Sequence, residues 1–147
     1  MRTQTLVGVG PTSIGKGYLS KAILLAVTQP HYVITVGQLI RDEIERSETF
    51  RNRYEKKIAN GNLVCDEETM RLVHPELQQA LNFATCFNDG YYRTVPQVLD
   101  GLSRGYLNNS VVIAMEGSKA TCHERLVHRK GHGGMSRSDN NAFENRW

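Results

Sequence analysis

Three absences narrow the reading of this 147-residue chain before any motif is considered. Cysteine is scarce: Cys65, Cys86 and Cys122 are odd in number and scattered, and no two of them form a C-x-x-C pair. That usage excludes a disulfide framework and a thiolate metal cage, and it fits free thiols in a reducing compartment. Long apolar runs are missing as well. No leading segment has the make-up of a secretory signal, and nothing approaches the roughly 20 apolar residues of a membrane-spanning helix, so a soluble, cytoplasmic protein is expected. The third absence is strong charge of one sign. A net charge of +3 is too mild to argue for a nucleic-acid or membrane surface. The length suits one domain, 1–147, with enough chain to bury a core.

What is present is alternation. Four short apolar runs, Thr5–Val9, Tyr32–Thr35, Phe83–Phe87 and Val111–Met115, have the length of buried strands. Helical patterns separate and follow them over Gly15–Val27, Gln38–Arg46, Phe50–Asn60, Glu67–Leu81, Val95–Gly105 and Lys119–Arg129. This order predicts crossover connections and an α/β fold, with a parallel sheet covered by helices on both faces. GNLVCDE at 61–67 breaks the pattern, and Asp66 is expected to N-cap the helix after it. The C-terminal RKGHGGMSRSDNNAFENRW is glycine-rich and polar, with no strand pattern. Ligands in such sheets gather outside the carboxyl ends of the strands, so chemistry is expected in the loops after Val9, Thr35 and Phe87.

The first of those loops carries a motif. In VGVGPTSIGKGYLSKAILL, Gly10-x4-Gly15-Lys16 has the spacing of a phosphate loop. Glycines let backbone N–H groups turn inward around an anion, and the helix that follows adds its dipole. Lys16 would set its ammonium on the outer phosphates. The plainer alternative is a glycine-rich turn that only joins strand to helix. One position is unusual: the residue after the lysine is commonly Ser or Thr, whose hydroxyl sits on magnesium, and here it is Gly17.

GxxxxGKG with a glycine after the lysine resembles adenylate kinases and related nucleoside monophosphate kinases. Five further stretches match that family in order. ITVGQLIRDEI at 34–44 is similar to its acceptor segment, ISTGDLLRxxI, and IANGNLVCDE at 58–67 to its GxLVPDE turn. NDGYYRTVPQ at 88–97 is similar to DGFPRTxxQ. HERLVHRK at 123–130 and RSDNN at 137–141 resemble the helix of lid arginines and the RxDD that closes the lid. The resemblance implies a P-loop three-layer αβα fold with a small helical acceptor-binding segment, about 35–64, and a very short lid, about 129–137. It implies transfer of the terminal phosphoryl group of ATP, with Mg2+, to a nucleoside monophosphate such as AMP.

By that resemblance Ser13, Ile14, Gly15, Lys16, Gly17, Tyr18, Arg125 and Arg129 would hold the donor. Val36, Gly37, Arg41, Asn62, Leu63, Val64, Gly90, Tyr91, Arg93, Gln97 and Arg137 would hold the acceptor. Lys16, Arg93, Arg125, Arg129, Arg137 and Asp89 would carry catalysis. Arginine suits this work because its planar fork donates two parallel hydrogen bonds to phosphate oxygens. Asp89, at the carboxyl end of its strand, would hold magnesium through water. Gln97 would read the adenine of AMP with its amide.

The chain also departs from the family pattern. Tyr18 stands where a threonine is usual, Val36 replaces a threonine, Gln38 an aspartate, and Tyr92 the proline of DGFPR, which would relax the turn that aims Arg93. Asn140 replaces an aspartate, and Arg146 is a candidate for the arginine that normally follows, two residues closer than the family spacing. The lid contains no cysteine for a structural zinc, and His123, His128 and His132 lack ligand spacing. The family's last strand and helix are not in the sequence. Val111–Met115 is therefore expected at a sheet edge, covered by a second copy, another protein or the chain's own tail. A nucleotide-binding scaffold that has lost turnover, or a kinase for another monophosphate, are the alternatives.

Overall fold

The computed structural model describes residues 3–128 and 143–144. Ten elements follow in order: β1 (Gln4–Val9), α1 (Lys16–Ala26), β2 (His31–Thr35), α2 (Val36–Arg46), α3 (Glu48–Ala59), α4 (Asp66–Ala80), β3 (Thr85–Asp89), α5 (Val95–Ser103), β4 (Ser110–Ala114) and α6 (Lys119–Val127). Every strand pair is parallel, and the sheet order is β2-β3-β1-β4. This is the expected P-loop α/β architecture.

Register assigns the two faces. Thr5, Val7 and Val9 share a face with Cys86 and Asn88 of β3 and, through β3, with Tyr32 and Ile34 of β2. That face packs under α4 and α5, where Val73, Leu77, Ala80 and Val98 join one core with Val7, Ile34 and Cys86. The opposite face carries Leu6 and Phe87, and α1 lies against β1 and β3. Gly8 leaves room there: a Cβ would come within 3.1 Å of the Phe87 ring. Asp100 ties α5 to α4, accepting from Arg104 Nε at 2.7 Å and lying 2.7 Å from His74 Nε2.

Most element ends shift by one or two residues from the sequence reading, β4 for instance running Ser110–Ala114 and not Val111–Met115, and three of the shifts bear on the site. Phe83 is spent on the turn after α4, its N–H bonded to Ala80 O at 3.0 Å, with its ring against Tyr32. β3 therefore starts two residues later than expected and runs on to Asp89, which becomes the last residue of a strand rather than part of a loop. α2 begins at Val36 instead of Gln38, which puts Gly37 in a helix first turn. Asp66 is not an N-cap. Cys65 holds that position without a side-chain bond, and Asp66 is the first helical residue.

The three cysteines are free. Burial pushes the Cys86 thiol up to about 12. No described helix is long and apolar enough to cross a membrane.

Candidate functional site

The glycine-rich loop leaves β1 at Val9 and enters α1 at Lys16, bending through Gly10 at φ +148°, Ser13 at +63° and Gly15 at +109°. Gly10 is forced by close approach as well as by conformation. A Cβ there would come within 2.6 Å of the Met115 carbonyl oxygen. Two devices hold the loop from outside. The Ile14 side chain is buried with Cys122, Leu126 and Phe143, and Arg125 Nη1 donates to the Ile14 carbonyl at 2.7 Å. The lysine holds it from inside, Lys16 Nζ donating to Gly10 O at 3.0 Å and to Pro11 O at 2.8 Å. α1 starts without a side-chain cap and without acidic residues in its first turn, so its positive end faces the loop unopposed. Ser13 Oγ is buried with no hydrogen-bond partner among the described residues.

In front of this loop lies an open cleft of about 460 Å³. Ser13, Gly15, Lys16, Gly17 and Tyr18 line it from the loop and α1, Asp89 from the end of β3, Arg125 from α6, and Gly37, Arg41 and Arg93 from the far side. Four cations and one carboxylate thus face one space sized for a chain of phosphates. A side chain at Gly17 would meet nothing within 4 Å, so no steric demand explains a glycine at that position. Tyr18 is 82% exposed and lines only the outer part of the helix start.

A second cleft of about 270 Å³ opens beside the first. Val36, Gly37 and Arg41 of α2, Asn62, Leu63 and Val64 of the turn before α4, and Gly90, Arg93 and Gln97 line it. Its walls also include Ile40, Ile44, Ile58 and Thr69, which the motif reading missed. The signal was available: Ile40 and Ile44 stand four apart on one face of α2, an apolar stripe that reads as core. The cleft is thus apolar-sided, as a base requires, with an amide from Gln97 and two guanidinium groups. Gly37, Arg41 and Arg93 line both clefts. They mark where the two spaces meet.

Arg93 is aimed by a turn of unusual build. Gly90 takes φ +95°, and a Cβ there would come within 3.1 Å of Arg93 Nη2, so the guanidinium lies close over bare backbone. Tyr92, where the family has proline, takes φ +58°. Its ring is buried, and a Cβ on Gly101 would come within 2.5 Å of it. Core packing of Tyr92 thus stands where the family has a proline ring. Tyr91 is wholly buried with its hydroxyl 3.4 Å from Asp100 Oδ2, and it lines the cavity behind the glycine-rich loop rather than the second cleft. Arg129, Arg137, Asn140, Arg146, His132 and the expected lid at 129–137 lie outside the described residues.

Among the described residues no group of three or more His, Cys, Asp or Glu could form a metal cage. The donor set around Lys16 fits a hard cation held mostly by phosphate and water. Asp89 at the end of β3 turns one carboxylate toward the same cleft, and the orphaned Ser13 hydroxyl belongs to the glycine-rich loop that lines it.

A family model described as AAA domain matches residues 9–143. The chain is 32% identical over 132 residues to the adenylate kinase of Finegoldia magna, covering 85% of this chain and 59% of that protein. It is 35% identical over 132 residues to the adenylate kinase of Moorella thermoacetica, covering 85% and 58%. A third adenylate kinase, from Borrelia garinii subsp. bavariensis, is 29% identical over 94% of this chain and 62% of its own length. The chain spans about three fifths of the length of these curated relatives.

Proposed function

The chain belongs to the AAA domain family and is adenylate kinase-like in sequence, and from that premise we propose that it transfers the terminal phosphoryl group of ATP to AMP, giving two ADP. One observation carries this reading: a phosphate-loop cleft and an apolar-sided cleft adjoin, and Arg41 and Arg93 line both. A protein that only bound a triphosphate would have no use for a second base-sized cleft sharing its arginines.

In this reading the triphosphate lies along the glycine-rich loop, with α1 amides and the Lys16 ammonium on its outer phosphates. The monophosphate lies in the second cleft with its phosphate on Arg41 and Arg93. An oxygen of that phosphate attacks the terminal phosphorus of the donor, the bond to the bridging oxygen breaks, and ADP leaves. The protein's contribution is alignment and charge neutralisation. Arg125 would face the transferring group while holding the loop through Ile14. Magnesium, which Asp89 would hold through its water shell, supplies further neutralisation of phosphate charge when bound. Arg129 and Arg137 would complete the cation ring from the lid. Gln97 would face the adenine. We also read the protein as cytoplasmic and non-membrane, with no nucleic-acid partner, and the β4 edge as covered by a second copy or another protein.

The test is a panel of initial rates with ATP and AMP, CMP, UMP or GMP as acceptor. AMP is expected to lead. Equal rates, or a pyrimidine winner, would overturn the adenine assignment.

A further inference from the structure

Gln97 is buried, 4% exposed, yet it lines the acceptor cleft, and its amide is already engaged at both ends. Nε2 donates to Asp66 Oδ1 at 2.7 Å, and Oε1 accepts from the Arg93 backbone N–H at 3.0 Å. The chemistry of the partners leaves no choice of orientation. An ionised carboxylate only accepts and a backbone N–H only donates, so the amide cannot turn over without losing both bonds. Asp66 is itself held: Thr94 Oγ1 donates to the same Oδ1 at 2.7 Å, and Thr94 caps α5 through the Gln97 N–H. Three segments, the start of α4, the Arg93 turn and the start of α5, thus converge on one amide.

This matters because an amide is ambiguous as a reader. Turned one way it offers an acceptor and a donor to the 6-amino group and N1 of adenine. Turned by half a rotation it suits O6 and N1–H of hypoxanthine or guanine equally well. A free glutamine in the cleft would serve both. We propose that Asp66 is a specificity-determining positioning residue: by holding the Gln97 amide in one orientation it makes the site read a 6-amino purine and reject a 6-oxo purine. The inference rests on the phosphotransferase reading above. Gln97 keeps its second N–H and the second lone pair of Oε1 for the base, and Asp66 never touches the nucleotide. Of the two anchors the charge-assisted bond to Asp66 is the stronger, so removing it frees the amide most.

AMP and IMP are the clean probes, since their bases differ only along the edge concerned. Affinities of the full chain for each are measured by titration, in the wild type and in Asp66→Asn, whose own amide can meet either face of Gln97. The wild type is expected to prefer AMP, and the AMP:IMP preference is expected to fall at least about tenfold in the variant, the discrimination of one matched hydrogen bond. A general loss of structure would weaken both ligands together and leave the ratio unmoved. An unchanged ratio in a variant that keeps wild-type affinity for AMP overturns the inference alone, as does a wild type that binds both equally. A wild type that binds neither monophosphate overturns the phosphotransferase reading, and the inference with it. A second measurement needs no variant. In the ligand-free wild type the Gln97 side-chain NH2 should give two resolved proton resonances protected from solvent exchange, and fast exchange there would contradict the clamp.

Discussion

Lys16 and Arg93 differ from ordinary buried ion-pair residues in one respect that decides what their loss should do. Lys16 donates to carbonyls of its own loop, at Gly10 and Pro11, and the Arg93 side chain reaches into open cleft. Neither residue is among the buried core residues. Lys16→Ala and Arg93→Ala should therefore each cut turnover on the order of a hundredfold or more, the usual loss for one preorganised donor, with little change in melting temperature. Rates and thermal unfolding measured on the same preparations check this; near wild-type turnover in either variant removes that residue from catalysis. At this scale the phosphate loop was legible because the chemistry demands glycines and a lysine at fixed spacing. Asp66 was not. Its partners Thr94 and Gln97 lie 28 and 31 residues away, and local sequence marked it only as a helix-start residue. The burial of Tyr92 was equally hidden, since its contacts with α5 and the core are not local in sequence.

Between elements, the acceptor cleft depends on how α2 is fastened to α4, because Arg41 and Gly37 ride on α2. Glu43 does this fastening. It is buried, 6% exposed, and accepts from Arg71 of α4 at 2.8 Å and from Arg46 of its own helix. Hydrogen bonds from Arg71 and then Arg46 hold its carboxyl below the usual 4.5. A carboxylate depressed in the folded state adds stability above its unfolded pKa, and that stability is lost as pH falls through the lower, folded value. Glu43→Gln should therefore be less stable than wild type at pH 7, by about 1 kcal/mol because both arginines keep one side in water. The gap should close below about pH 4.5. Melting curves of both proteins from pH 7 to pH 3 check it; parallel curves at every pH would show that the pair is idle. The helices themselves were legible from periodicity, but this bond was not, since Glu43 and Arg71 are 28 residues apart and each reads as a solvated surface charge.

Across the whole molecule, one face of the sheet is packed under α4 and α5, and β4 is the last strand of the sheet among the described residues. β4 pairs with β1 along Ser110–Ala114, and no described strand lies beyond it. Its register with β1 puts Val111 and Val112 on opposite faces, and they remain 46% and 61% exposed. An apolar, uncharged edge of this kind pairs readily with another strand. Amide exchange at 111–115 should slow as protein concentration rises, in step with light scattering, if a second copy covers it. Rapid exchange at every concentration, with a compact monomer, would mean that the edge stands uncovered. The parallel sheet was legible because buried strands alternate with helices; the order β2-β3-β1-β4 was not, because nothing local in the sequence says which strands pair. The shift of β3 toward Asp89 was not, because Asn88 and Asp89 look like loop residues and are strand only through pairing with β1 and β2.

In the proposed reaction, the two clefts that meet at Arg41 and Arg93 pass a phosphoryl group from one nucleotide to another. The most direct measurement is the product balance of the full chain with equal ATP and AMP in magnesium buffer, followed by phosphorus NMR. Two ADP for each ATP consumed, with no inorganic phosphate, is the result predicted. ATP falling to ADP and free phosphate with AMP untouched, or no consumption at all, would contradict it.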